Sequence, residues 1–387
     1  MDKKRILVLF SGNSDNRKGA FNATIERIKH LQSLDQFVID VYMLQFYNGF
    51  FKKVLFRKRN REIVKSFAVD EILINNIWQK STIFNTRRFY KYRKYSIEYR
   101  KTINILNTLV DNYDIISVHS YVCANLVSGI CRIKEKPFCI TWHGTDIHTN
   151  PFVNNTFFLE TRSLIEHAAA NFFVSEKLRE TSNKITTKGN KFVLYNGVDK
   201  SLFYKYSSEK REVVKKQLGI EYDYYNIGVI GGLIDVKNSM ILPDLIKKIA
   251  SVIPNVILHV VGDGYLRHEL EIKSSDLPVI FHGNVPIDRM PDYYNVFDLV
   301  IMPSKNEGLP LTAVESLACG TLLVGSRVGG IPEVVGEANT VELDDKFVTV
   351  FSHLCVNRLL DKTTICLPNV FDWERTAEKE AEIYRNL

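Results

Sequence analysis

Short apolar runs alternate with helical stretches along nearly the whole chain, and this alternation limits the fold more than any other feature. The runs RILVLF, FVIDVYML, DEILIN, DIISVHS, FCITWHG, NFFVSE and KFVLYN read as strands. Helical spacing fills the gaps between most of them, for example Thr24 to Leu34 and Asn104 to Asp111. Buried, near-continuous apolar strands alternating with helices imply a parallel sheet covered on both faces. The pattern breaks at the polar stretch LYNGVDKSLFYKYSSEKREVVKKQLGIEYDYYN, then restarts with NIGVIGG, NVILHVVGDG, PVIFHG, FDLVIMPS and TLLVGS. The expectation is an α/β chain of two Rossmann-like domains, divided near residues 196–215. Such sheets bind ligands at the carboxyl ends of their strands. With two domains facing each other, that place is a central cleft.

Length and composition agree with this class. At 387 residues, 45% hydrophobic and 25% charged, the chain is long enough for two or three cores and contains no low-complexity tract. The start MDKKRILVLFSGNSDN has too short an apolar run for a signal peptide. No stretch approaches the length of a transmembrane helix. The six cysteines lack metal-ligand spacing and read as reduced core residues of a cytosolic protein.

The loops at the strand ends hold the chemistry. EGLPLTAVESLACG (Glu307 to Gly320) reads as loop then helix, with Pro310 suited to a helix start and Gly320 to a stop. Glu307 lies at the helix mouth and Glu315 lies inside the helix. Eight helical residues span roughly 12 Å, too far for the two carboxylates to share one proton. They suit the two ends of an elongated ligand, and the helix start between them suits phosphate. A nucleotide sugar has that layout. The alternative is a surface helix residue and a capping acid, and this segment alone does not choose between them. Elsewhere, Gly12 and Gly19 flank a loop after the first strand, HGTDIH carries His143, Asp146 and His148, and GLIDVKN carries Lys237. Glycines let backbone amides approach a phosphate, and a lysine neutralises one as a point charge. Taken singly, the glycines are a weak signal, the histidine is more often a structural hydrogen-bonder, and the lysine is more often simply solvated.

Together these loops resemble the retaining GT-B glycosyltransferases of family four. The resemblance rests on the E-x7-E pattern of EGLPLTAVESLACG, with HGTD, VSEKLRE, YNGVDKSLF, GDGYLRHELE, FHGNVPIDRMPDYYNVFDLVIMPSKNEG, GGIPEVV and the closing FDWERTAEKEAEIYRNL. It runs nearly end to end and is weakest between residues 45 and 105. It implies an acceptor-side domain at 1–195, a nucleotide-sugar donor domain at 196–370, and a final helix at 371–387 that packs back on the first domain.

The family's roles carry over one position at a time. Glu315 matches the glutamate that bonds the ribose hydroxyls, and Glu307 the one beside the donor sugar. Gly308, Leu309 and Leu311 lie where backbone amides face the sugar and phosphate. His143 matches a histidine near the sugar and β-phosphate, and Asp146 the aspartate of the same motif. Gly19 matches a glycine of the first phosphate loop. Lys237, with Asn238 beside it, matches the diphosphate lysine. One position departs: where the family reads Gly-Arg-Leu, this chain reads Gly231-Gly232-Leu233. Arg17, Lys18 and Arg327 are the candidates to replace the missing arginine.

The implied reaction moves a sugar from a nucleotide diphosphate, UDP rather than GDP, to a hydroxyl of a glycan or lipid-linked glycan, with retention. It needs no metal or other cofactor, and no Asp-x-Asp metal motif is present. The setting is cell-surface polysaccharide synthesis. A nucleotide-sugar epimerase of similar fold and a non-catalytic nucleotide-sugar-binding protein remain open as alternatives. A glycoside hydrolase fits poorly, because its carboxylates stand about 5–9.5 Å apart across one bond.

Residues 51–101 hold fifteen Lys or Arg and four acids, a net charge of +11 in a chain of net +7. Aromatics are interleaved, as in FYNGFFKKVLF and RRFYKYRKYSIEYR. Basic residues are attracted to anionic lipid and aromatic rings settle at headgroup level. The expectation is peripheral attachment to the inner face of the cell membrane, with no nucleic-acid partner.

Overall fold

The computed structural model describes residues 3–12, 19–48, 65–69, 71–81, 96–220 and 222–387. Arg17 and Lys18 lie outside the described residues. So does most of the 51–101 segment, where only Lys65, Lys80, Arg100 and Lys101 of the basic positions are described. The chain divides into two compact units, residues 1–196 with 373–387, and residues 197–372.

Unit 1 is built on strands β1 (Arg5–Ser11), β2 (Val38–Asn48), β3 (Ser66–Val69), β4 (Ile72–Ser81), β5 (Ile115–Val118), β6 (Phe138–Trp142), β7 (Ala170–Phe173) and β8 (Lys191–Val193). Their order in the sheet is β3-β4-β2-β1-β5-β6-β7-β8. Ile6 to Phe10 are all buried, as are all four residues of β5 and all five of β6. This is why these strands are apolar without alternation. The pairings are parallel except β3 with β4, where Val69 faces Ile72 antiparallel. Two intervening residues are too few for a crossover and permit only a hairpin. The sequence pattern did not show β3.

Unit 2 carries β9 (Tyr225–Ile230), β10 (Val256–Val261), β11 (Val279–Gly283), β12 (Leu299–Met302), β13 (Leu323–Ser326) and β14 (Thr340–Val341). The order is β11-β10-β9-β12-β13-β14, and every pair is parallel. In each unit the strand order reverses once. The reversal lies between β1 and β5 in unit 1 and between β9 and β12 in unit 2. The chains leaving those strands diverge to opposite faces and open a crevice at the carboxyl ends.

The C-terminal helix Trp373–Arg385 belongs to unit 1. Its Ala377, Ala381 and Tyr384 join the core formed by Ile6, Val8, Ile28 and Phe172. A polar seam runs through this contact. Arg27, on helix Ala20–Ser33, donates through Nε to Glu380 Oε2, with the two side chains 1% and 0% exposed. Tyr384 donates to Glu380 Oε1 and lies 2.8 Å from Ser117 Oγ. Thr376 Oγ1 donates to the Tyr195 carbonyl at 2.7 Å. Five of the cysteines are buried, but Cys366 is exposed, which corrects its assignment to the core. Burial pushes the thiols of Cys123, Cys131, Cys139, Cys319 and Cys355 up, so they stay protonated. Among the described residues no helix is long and apolar enough to cross a membrane.

Removing one partner of a buried pair strands the other charge. Glu380→Leu should therefore destabilise unit 1 by about 3–5 kcal/mol, and Arg27→Met/Glu380→Leu by much less. Trp78, Trp142 and Trp373 are the chain's three tryptophans and all lie in unit 1. Denaturant unfolding followed by tryptophan fluorescence reads this unit alone. Equal loss in the single and double variants would contradict the ion-pair account.

Candidate functional site

In unit 2 the candidate residues gather at the reversal point. β9 runs into Gly231-Gly232, just past its end, and a tight turn, Asp235–Lys237, follows. Asn238 closes that turn in the left-handed conformation, φ 55°. β12 leads through Pro303 and Ser304 to Glu307 and the helix Leu311–Ala318. The two loops are joined: the Lys305 N–H donates to the Val236 carbonyl at 2.8 Å. Lys237 Nζ then lies 2.6 Å from Glu307 Oε1, with side chains 30% and 11% exposed. Ser304 Oγ is buried without a hydrogen-bond partner among the described residues, in a small pocket it shares with Gly231, Gly232 and Lys237.

Glycines make this arrangement possible by letting backbones touch. A Cβ at Gly329, φ 51°, would lie 1.8 Å from the Glu307 carbonyl oxygen. The neighbouring Gly330 N–H donates to the Gly308 carbonyl at 2.8 Å. Thus GSRVGGIPE backs the loop that carries the first glutamate. Gly262 and Gly264 do the same for the other loop, where a Cβ would lie 1.9 Å from the Gly231 oxygen and 2.2 Å from the Leu233 oxygen. The sequence shows these glycines only within the motifs GDGYLRHELE and GGIPEVV and does not reveal this buttressing role. Gly232 is different: a Cβ there meets nothing closer than 3.8 Å.

The helix Leu311–Ala318 has Pro310 at its N-cap and no side-chain cap. Its first amides and the backbone of Gly308 and Leu309 form the segment between the glutamates. Glu315 sits one turn into the helix, apart from the Lys237–Glu307 pair. Its Oε2 accepts from Tyr294 Oη at 2.7 Å. Burial pushes its carboxyl from 4.5 up to about 7, against the stabilising hydroxyl of Tyr294. Arg327 does not stand free to replace an arginine at Gly232. It is held by Glu337 at 3.0 Å, Glu342 at 3.5 Å and Thr340 Oγ1 at 3.2 Å.

In unit 1, Gly19 is the N-cap of helix Ala20–Ser33, with φ 51°. His143 and Asp146 follow β6, and Asp146 Oδ1 accepts from the Gly144 N–H at 3.1 Å. Burial raises the Asp146 carboxyl to about 6, opposed by backbone amides at Gly144, Asp146 and His143. Burial, and then the charge of Arg27, push His143 down to about 3, so its imidazole is neutral at pH 7. Its Nε2 is buried without a partner among the described residues. His119, at the end of β5, stacks obliquely on it, ring centroids 5.9 Å apart. Thr24 Oγ1 and Ser117 Oγ each lie 3.5 Å from a His119 ring nitrogen. The structure thus groups His143 and Asp146 with His119, Arg27 and Glu380, which the sequence reading missed. DIISVHS marked His119 as a strand end, but nothing local marked Arg27 or Glu380, 353 residues apart. Among the described residues no group of three His, Cys, Asp or Glu side chains is placed to hold a metal.

Glu315 gives a stability signature with a definite sign. The folded carboxyl titrates near 7 and the unfolded one near 4.5. The folded state binds the proton more tightly, so the cost of ionising Glu315 is absent below about pH 4.5 and complete above about pH 7. Glu315→Gln should stabilise unit 2 by about 1–3 kcal/mol at pH 8.5 and leave it unchanged at pH 4.5. Calorimetric unfolding at the two pH values checks this.

The family description "Glycosyltransferase Family 4" matches residues 47–202, and "Glycosyl transferases group 1" matches residues 225–354. TuaC of Bacillus subtilis, a glycosyltransferase its name assigns provisionally to teichuronic acid biosynthesis, is 28% identical over 208 residues. That match covers 54% of this chain and 51% of TuaC, so the chain spans about half that relative's length. The uncharacterized glycosyltransferase MJ1178 of Methanocaldococcus jannaschii is 23% identical over 85% of this chain and 92% of its own. Among solved structures, Anabaena Alr3699/HepE in complex with UDP and glucose superimposes with a TM-score of 0.72 at 20% identity, covering 98% of this chain and 99% of that one. Residues 47–202 and 225–354 thus resemble two successive glycosyltransferase family models, and the fold is GT-B.

Proposed function

We propose that the chain is a retaining glycosyltransferase. It moves a sugar from a UDP-sugar to a hydroxyl of a glycan or lipid-linked glycan, in cell-surface polysaccharide synthesis. The observation that carries this is the Lys237–Glu307 pair at the mouth of helix Leu311–Ala318, with Glu315 further along the same helix. A cation, an open helix start and two separated carboxylates match a diphosphate flanked by two polyols. UDP in the HepE structure and the name of TuaC support the base and the pathway.

In the reaction the bond from the sugar's anomeric carbon to the diphosphate oxygen breaks. A bond to the acceptor oxygen forms on the same sugar face, and the acceptor's proton leaves with the diphosphate. The protein's part is to stabilise the departing charge, which Lys237 and the amides of Gly308 to Leu311 would do. Asn238 fixes the lysine's turn. Glu307 works at the sugar and Glu315 at the ribose. His143, neutral, offers a hydrogen bond rather than a charge, and Asp146 orders the loop that carries it. Gly19 leaves room for a phosphate at its helix start. No metal is required in this scheme.

Because Glu307 already holds Lys237, an incoming diphosphate competes for the same ammonium group. Glu307→Gln should cut turnover about 100-fold or more while leaving UDP affinity unchanged or tighter. Lys237→Ala should remove nearly all transfer. Thermal shift against nucleotide sugars, followed by product assay with and without acceptor, checks both. An isomerised donor in the absence of acceptor would instead indicate an epimerase, and near-normal activity of Lys237→Ala would place the diphosphate elsewhere.

The basic and aromatic segment 51–101 is proposed to hold the protein on an anionic membrane at the cytoplasmic face, where lipid-linked acceptors reside. Co-sedimentation with phosphatidylglycerol vesicles should fall with salt. It should also drop when Lys52, Lys53, Arg57, Lys58 and Arg59 are replaced by Ser. Equal recovery with neutral vesicles would contradict it.

A further inference from the structure

We infer that Tyr294 is a positioning residue for Glu315: it holds one carboxylate oxygen so that the other is presented, ionised, to the hydroxyls of a bound nucleoside. This rests on the placement of Glu315 at the ribose proposed above. Tyr294 lies on helix Met290–Val296 and is fully buried. Its ring packs edge-on against Phe203, centroids 6.0 Å apart. Its carbonyl accepts from Thr321 Oγ1 at 2.6 Å. The next residue, Asn295, is pinned by the Tyr206 N–H at 2.7 Å and donates to the Tyr204 carbonyl at 3.0 Å. The phenol therefore cannot swing away from Glu315.

A buried phenol needs a partner, and here the partner is Glu315 Oε2. Oε1 makes no hydrogen bond among the described residues, and no ion pair holds this carboxylate there. The phenol thus leaves one oxygen for a ligand and fixes its direction. The same bond favours the carboxylate over the acid, against the burial that disfavours it. The other ionisable groups on the packed elements are Asp292 and Tyr293 of helix Met290–Val296, Glu333 of helix Ile331–Val335, Cys319 at the end of Glu315's own helix, and Tyr204, Lys205 and Tyr206 of the segment that pins Asn295. Lys205 is the one cation among them; its stem lies against Gly320, past the end of the helix, and it makes no ion pair with Glu315. The phenol is then the neutral donor that keeps Glu315 competent near neutral pH.

Tyr294→Phe removes one hydroxyl and keeps the ring. UDP affinity, measured by calorimetry from pH 6 to pH 9, should weaken about five- to tenfold at pH 7 and converge on the wild type by pH 9. Turnover at saturating donor should change by less than about twofold. Carbon-detected NMR of the Glu315 carboxyl, which needs no ligand, should show a higher titration midpoint. A pH curve that superimposes on the wild type, or one weakened equally at every pH, overturns the inference. Glu315→Gln separates the two levels of argument. It should abolish the pH dependence; if it binds UDP like the wild type, the ribose assignment fails and the role of Tyr294 falls with it.

Discussion

The burial of Arg27 against Glu380 is the interaction on which unit 1 depends. It ties the last helix of the chain to the first, across a separation of 353 residues, inside a core that excludes water. Its desolvation is tolerable because Glu380 also accepts from Tyr384, whose hydroxyl reaches Ser117 beneath His119. Charge buried this way acts at a distance, because little solvent screens it. Burial lowers the basicity of both His119 and His143, and the charge of Arg27 lowers it further. The C-terminal helix is thereby linked to the electrostatics at the end of β6 as well as to the packing of the sheet.

Unit 2 reaches a similar end by steric means. Its reactive side chains stand on two loops, and each loop is backed by glycines that a Cβ would displace. Backbone contact at Gly329 and Gly262 fixes Glu307 and the Gly231–Leu233 turn without spending side chains on the task. The side chains are left free of that task, and those of Lys237 and Glu307 meet each other. Gly232 stands apart, since nothing crowds it. There glycine is a choice of small size and not a steric necessity, and Arg327, held by Glu337, Glu342 and Thr340, is not free to replace the cation found at this position in the resembled family.

Much of this was legible because parallel strands buried on both faces leave an unmistakable apolar signal, and because loops at strand ends are where glycine, histidine and acid residues cluster. The helix Leu311–Ala318 and the separation of Glu307 from Glu315 follow from spacing alone. The hairpin strand β3 escaped because SFAV is short and only half buried, so its residues carry weak pattern. Arg27, His119 and Glu380 escaped for a different reason. Each sits at a position whose local helix or strand pattern demands nothing polar, and only tertiary packing brings them together. Tyr294 was hidden inside an aromatic helix face that reads equally well as core.

The charges of the candidate residues share a logic. His143 is neutral, Lys237 is matched by Glu307, and Glu315 titrates close to neutrality. Burial and Arg27 keep His143 neutral, an opposed carboxylate balances Lys237, and burial draws Glu315 toward its neutral form against the phenol that favours the charged one. Uncompensated charges in partly buried positions would cost several kcal/mol each. Under the function proposed for unit 2, a donor's diphosphate would take the place of Glu307 at Lys237, and its ribose hydroxyls would meet the open oxygen of Glu315. Binding would then exchange contacts there instead of creating buried charge.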